Sequence, residues 1–185
     1  ATYSSNTMTS SNIQQKLKAR GKGNIHKNDD KPEKGDVKKN SGLLRLKAVD
    51  KEDLKVISVA LQDAIVPVLD LAYDQNNKQF MFVANRFRWE TANKNSEFAG
   101  ERVHSGITFH HVLGVKRKCL ERHKPGLFLN LLAVDLEINS NRGFIVEITF
   151  SRGAAIRLET SQLLCHLEDF GEPWSANKRP GHSFD

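Results

Sequence analysis

Phe144-Ile-Val-Glu-Ile-Thr-Phe150, Ser151-Arg-Gly153 and Ala154-Ala-Ile-Arg-Leu-Glu-Thr160 read together as a β-hairpin. A three-residue loop, with Gly153 in the left-handed conformation such loops need, sets the register. Phe150 then faces Ala154, Ile148 faces Ile156, Val146 faces Leu158 and Phe144 faces Thr160, so one face is mostly apolar. On the other face Glu147 meets Arg157 and Ile145 meets Glu159. A two-residue loop would set Ile156 opposite Thr149 and mix the faces. The pattern selects its own turn and predicts half-buried antiparallel sheet. It carries no chemistry of its own.

The same alternation extends outward. Leu43 to Val49 reads as a strand, and Asp50 follows as an N-cap with Glu52 and Asp53 in the first turn. Leu54, Ile57, Leu61 and Ile65 recur at helical spacing, predicting an amphipathic helix of about four turns that stops at Pro67 and covers one face of the sheet. Asn76-Asn77 predicts a second hairpin with a two-residue turn that pairs Tyr73 with Phe80, Leu71 with Phe82 and Leu69 with Ala84. Residues 91–101 read as a loop. Residues 102–119 read as alternating strand, with Val103, Ile107, Phe109, Leu113 and Val115 on one side. Leu132, Val134, Leu136 and Ile138 mark another strand, and Leu163, Cys165 and Leu167 a last one. With no βαβ alternation, the expected class is α+β. A mostly antiparallel meander, curled into a barrel or split into two layers, carries one N-terminal helix.

Charge divides the chain. Residues 1–42 carry nine Lys or Arg and four Asp or Glu, a net of +5. The whole chain nets +6, so residues 43–185 net only +1, with 19 basic and 18 acidic residues. Few apolar groups occur before residue 43, too few to offset the entropy of ordering that segment. The expected organisation is a disordered basic tail over 1–42, one α+β domain over 43–175 and an irregular C-terminus over 176–185. No apolar run approaches the ~20 residues of a membrane span, and no signal-peptide core is evident. Two cysteines, Cys119 and Cys165, are too few for a disulfide scaffold and point to a reducing cytoplasm.

Four strings, in order, resemble a known family: Leu44-Arg-Leu-Lys-Ala-Val-Asp-Lys-Glu-Asp-Leu54, Asn85-Arg-Phe-Arg-Trp-Glu90, Gly153-Ala-Ala-Ile-Arg-Leu-Glu159 and Leu167-Glu-Asp-Phe-Gly-Glu-Pro-Trp174. It is a family of small proteobacterial proteins known only as a domain of unknown function, and the resemblance covers residues 43–182. It implies a bacterial, cytoplasmic protein and no activity.

Candidate sites follow from residue types. His110-His111 is the most tempting metal pair, but adjacent strand residues point to opposite faces, and His104 shares parity with His110 only at roughly 20 Å. No Cys-x-x-Cys or His-x-x-x-His spacing occurs, so no metal and no cofactor is expected. Asp135 and Glu137 share a strand face and read as its solvated side, while Glu168-Asp169 reads as an acidic strand end. Ser105 lacks an evident base. The basic stretch Lys116, Arg117, Lys118, Arg122 and Lys124 is a candidate anion contact. So are Arg86 and Arg88. Phe80, Phe82 and Ala84 put even positions on the apolar face, and two unpaired buried guanidiniums would cost several kcal/mol each. The expectation is therefore a break in parity near Asn85 that turns Phe87 and Trp89 inward and both arginines outward. The preferred function is a non-enzymatic binding or scaffolding module with a protein partner. A nucleic-acid-associated protein using the tail and residues 116–124, or an enzyme of unrecognised mechanism, are the alternatives.

Overall fold

The computed structural model describes residues 42–92, 100–120, 126–139 and 143–180. Apart from Gly42, the expected tail lies outside these residues, as do Arg122, His123 and Lys124. Among these residues ten strands and one α-helix follow in chain order: β1 (Arg45–Ala48), α1 (Lys51–Ala60), β2 (Ile65–Pro67), β3 (Ala72–Asp74), β4 (Gln79–Phe87), β5 (Glu101–Phe109), β6 (Val112–Lys118), β7 (Phe128–Asn139), β8 (Gly143–Phe150), β9 (Ala155–Thr160) and β10 (Cys165–Ser175). All pairings are antiparallel. The sheet is open, in the order β1-β10-β5-β4-β2-β7-β8-β9-β6, and β3 pairs with β4. The fold is α+β, as expected.

The founding hairpin forms in the expected register. Glu147 lies opposite Arg157 and Ile148 opposite Ile156. Arg157 Nε donates to Glu147 Oε2 at 3.1 Å. The loop is Ser151–Gly153, and both Arg152 (φ 62°) and Gly153 (φ 71°) are left-handed. Inward residues of this half (Val146, Ile148, Ile156, Leu158) join one core with Phe80, Phe82, Ile107 and Leu167 from the other half. A single core shared by both halves means that the sheet bends over itself. The halves are joined as sheet through the short β2, which pairs with β4 on one side and β7 on the other, and the chain crosses between them where β5 passes into β6.

That passage corrects the reading of residues 102–119 as one alternating strand. His110 and His111 form a corner, with His111 at φ 58°. The corner resets the parity: Val112 is fully buried, whereas Leu113 is half exposed.

The helix is capped reciprocally. Asp50 Oδ1 accepts from Asp53 N at 2.8 Å, and Asp53 Oδ2 accepts from Val49 N at 3.2 Å. Leu54 and Ile57 face the core. The helix is shorter than its apolar spacing suggested. It ends at Ala60, Asp63 turns left-handed at φ 59°, and Ile65 already pairs as strand with β4 and β7. Ser58 Oγ accepts from Val134 N at 2.8 Å and joins the helix to β7. The β3–β4 hairpin keeps the expected Tyr73–Phe80 pair but uses a four-residue loop, 75–78. The Asp74 carboxylate accepts from Asn77 N and Nδ2, and Lys78 rather than either asparagine takes positive φ. Leu69 is exposed and does not continue the apolar face.

Candidate functional site

Strand β4 keeps its parity to the end, which overturns the expected break at Asn85. Ala84 lies opposite Ser105, Arg86 opposite Val103, and Ser105 opposite Asp169, so the core face of β4, β5 and β10 ends in a cation, a hydroxyl and a carboxylate. Arg86 points inward and is 0% exposed. Phe87 is buried on the opposite face, 4.6 Å from the Trp89 ring centroid and with Arg102 over its ring at 5.8 Å.

The charges of Arg86 and Asp169 are tolerated in the interior because every hydrogen-bonding atom of these two side chains is matched. Arg86 Nε donates to Asp169 Oδ1 at 2.8 Å, and Nη2 to Asp169 Oδ2 at 2.6 Å. Nη1 and Nη2 also reach Glu90 Oε2 and Oε1 at 3.0 and 2.7 Å, and Nη1 reaches Phe87 O at 3.3 Å. All five guanidinium N–H groups are thereby used. Asp169 additionally accepts from Ser105 Oγ at 2.7 Å and Leu44 N at 2.8 Å, so each oxygen takes two donors. Arg88, also buried rather than turned outward, pairs with Glu101 and lies 3.7 Å from Glu90. Burial works against the charge on Arg86. The hydrogen bonds of Asp169 and Glu90 outweigh it and leave the guanidinium above its ordinary pKa. Burial likewise raises the carboxylic pKa of Asp169 and Glu90, but their bonds to Arg86 outweigh it and hold both below the usual range.

This lock ties together the residue before β1, the end of β4, the middles of β5 and β10, and the short 3-10 turn Trp89–Thr91. In this arrangement no guanidinium N–H of Arg86 is left over for an outside anion. The sequence signal for it was present: Leu163, Cys165 and Leu167 put Asp169 on the inward parity of β10, as Phe80, Phe82 and Ala84 put Arg86 on that of β4.

Across the sheet from the lock, His104 is half-buried between Phe170 and Trp174, with centroids 5.7 and 4.6 Å away. Its Nδ1 bonds Asn85 Oδ1 at 2.7 Å, which fits an Nδ1–H tautomer donating to the amide oxygen. The cluster forms because β10 bulges between Phe170 and Trp174, around Gly171 at φ 75°. At the β5–β6 corner, His110 Nε2 lies 3.1 Å from His166 Nδ1, and Gln79 Nε2 lies 3.2 Å from His110 Nδ1. Burial, then the neighbouring His166 and His111, push His110 below its ordinary pKa. The pairing is not visible in local sequence because His110 and His166 meet only through the pairing of β5 with β10.

The basic stretch does not form one surface. Lys116 is exposed and bonds Glu159 at 2.6 Å, while Arg117 turns inward and is 4% exposed; Lys118 is half-buried. Glu137 pairs with Arg157 at 2.9 Å on the outer sheet face, and Asp135 is exposed beside Glu147. Among the described residues no group of three His, Cys, Asp or Glu converges as a metal set. Cys165 is buried and Cys119 exposed, and both are free thiols. Among the described residues no helix is long and apolar enough to cross a membrane.

The profile of the family described as "Protein of unknown function (DUF2948)" matches residues 44–182. The chain belongs to this family. The match spans every strand and the helix, and it includes Arg86, Glu90, Ser105 and Asp169. No curated protein and no solved structure matches the chain.

Proposed function

We propose that this DUF2948 domain is a non-enzymatic binding module that holds a protein partner. The observation that supports the reading is the saturation of the Arg86–Asp169 lock. The Arg86–Asp169 pair at its centre is closed from solvent and its hydrogen bonds are all made within the domain, so it stabilises a scaffold and leaves recognition to the outer faces. The free thiols fit a reducing bacterial cytoplasm.

A second reading, nucleic-acid association, draws on the +5 charge concentrated in residues 1–42. It gains little from residues 116–118, where Lys116 is paired and Arg117 faces inward. Recovery of the tagged full chain from native cells separates the two. The binding-module reading expects a defined protein at fixed stoichiometry that survives nuclease treatment and high ionic strength. A complex lost on nuclease treatment, with a steep salt dependence, would replace it with the nucleic-acid reading.

A further inference from the structure

We infer that His110 and His166 form a two-histidine site for a borderline divalent transition-metal ion such as Zn²⁺, with water in the remaining positions. Strand pairing brings the two together: β5 runs beside β10, with Thr108 opposite His166, and the corner at 110–111 swings His110 across to it. His110 Nε2 and His166 Nδ1 face each other at 3.1 Å. Two imidazole nitrogens on one tetrahedral zinc, each at about 2.0–2.1 Å, lie roughly 3.3 Å apart. The pair is therefore within a few tenths of an ångström of ligating distance before any ion enters. Imidazole suits zinc, copper and nickel.

The rings meet edge to face, with centroids 5.1 Å apart, and His166 is exposed, so an ion can reach the gap from solvent. In the metal-free arrangement Gln79 donates to His110 Nδ1, and His110 Nε2–H donates to His166 Nδ1. Metal entry requires the His110 proton to move from Nε2 to Nδ1. Rotation of the Gln79 amide then turns its carbonyl oxygen toward that proton. Both imidazoles stay neutral and no proton is gained or lost. Gln79 thereby becomes the outer partner that orients a ligating histidine. Of the surrounding charges, Lys47 lies opposite His166 on β1, and Glu168, two residues further along β10, is bonded to Arg45 at 2.9 Å. His111, whose ring centroid is 6.4 Å from that of His110, stands beside the gap rather than in it.

The test is calorimetric titration of the full chain with Zn²⁺ alone, repeated for His110→Ala, His166→Ala and His111→Asn. The expected result is one site, weakened by more than about tenfold in each of the first two variants and unchanged in the third. As a check that needs no substitution, zinc should shift the ring signals of His110 and His166 together in nuclear magnetic resonance spectra of the native chain. Zinc binding indifferent to both substitutions, or ring signals that stay in place at saturation, would overturn the site.

Discussion

Replacing Asp169 by Asn probes the lock at its most enclosed point. The carboxylate accepts four donors, two on each oxygen, and its side chain is 0% exposed. An amide of the same shape keeps one acceptor oxygen. Its NH₂ group must then face two donors, either Arg86 Nη2 and Leu44 N or Arg86 Nε and Ser105 Oγ. At the same time Arg86 loses its only fully buried counter-charge and keeps Glu90, whose side chain is 34% exposed. Breaking a buried ion pair from one side costs about 3–5 kcal/mol. Two donors left facing a donor are consistent with that range, at about 1–3 kcal/mol each. Urea unfolding should show Asp169→Asn destabilised by about 3–5 kcal/mol, a large part of a domain's typical stability of about 5–15 kcal/mol. The double variant Arg86→Met with Asp169→Leu removes both charges and should lose less than either single variant. A loss under about 1 kcal/mol for Asp169→Asn, or a double variant worse than the sum of the singles, would show that the pair is not an interdependent buried lock.

Three other outcomes follow from the same structure. Gly143→Ala should destabilise more than Gly153→Ala in thermal melts: both glycines have positive φ (101° and 71°), but only at Gly143 would the new Cβ meet backbone, with Thr160 O at 2.4 Å. Equal losses would contradict this. Asp169 and Glu90 have depressed folded pKa values, so their stabilisation is present above the unfolded values of about 4 and lost as pH falls through the folded ones. Stability should fall on acidification below about pH 4, less steeply in Glu90→Gln, and a rise would contradict the sign. Removing residues 1–41 should leave the melting temperature almost unchanged, and a drop of many degrees would show that this segment packs on the domain.

The sheet was legible because period-two patterning and turn chemistry agree. From Phe144 to Thr160 the apolar parity admits one register, and that register forms. The helix ran long in prediction because Ile65 fits its spacing equally well, whereas in the fold it pairs with Asn85 and Asn130. The corner at His110-His111 was hidden because Val103, Ile107, Phe109, Leu113 and Val115 share one parity in sequence. The left-handed residue at 111 shifts it for Val112 and Leu113, and the register shift between Val112 and Gly114 restores it, so Val115 is buried on the expected parity. The lock was misread for an energetic reason. An unpaired buried arginine is costly, and the partner that removes the cost lies 83 residues away on a strand whose neighbour was not knowable from local pattern. The parity of β4 holds to its end because β10 supplies Arg86 with an inward carboxylate. The His110–His166 pair was missed on the same ground, since both sit on elements that meet only through the strand order.

The buried lock is tested most directly by replacing Arg86 and Arg88 together by Gln and measuring melting temperature and partner recovery on the same preparation. The expected result is a melting temperature lowered by many degrees, with the molecules that remain folded still recovering the partner. An unchanged melting temperature with partner recovery abolished would contradict it, and would make the two arginines a recognition site rather than the buried lock of the scaffold.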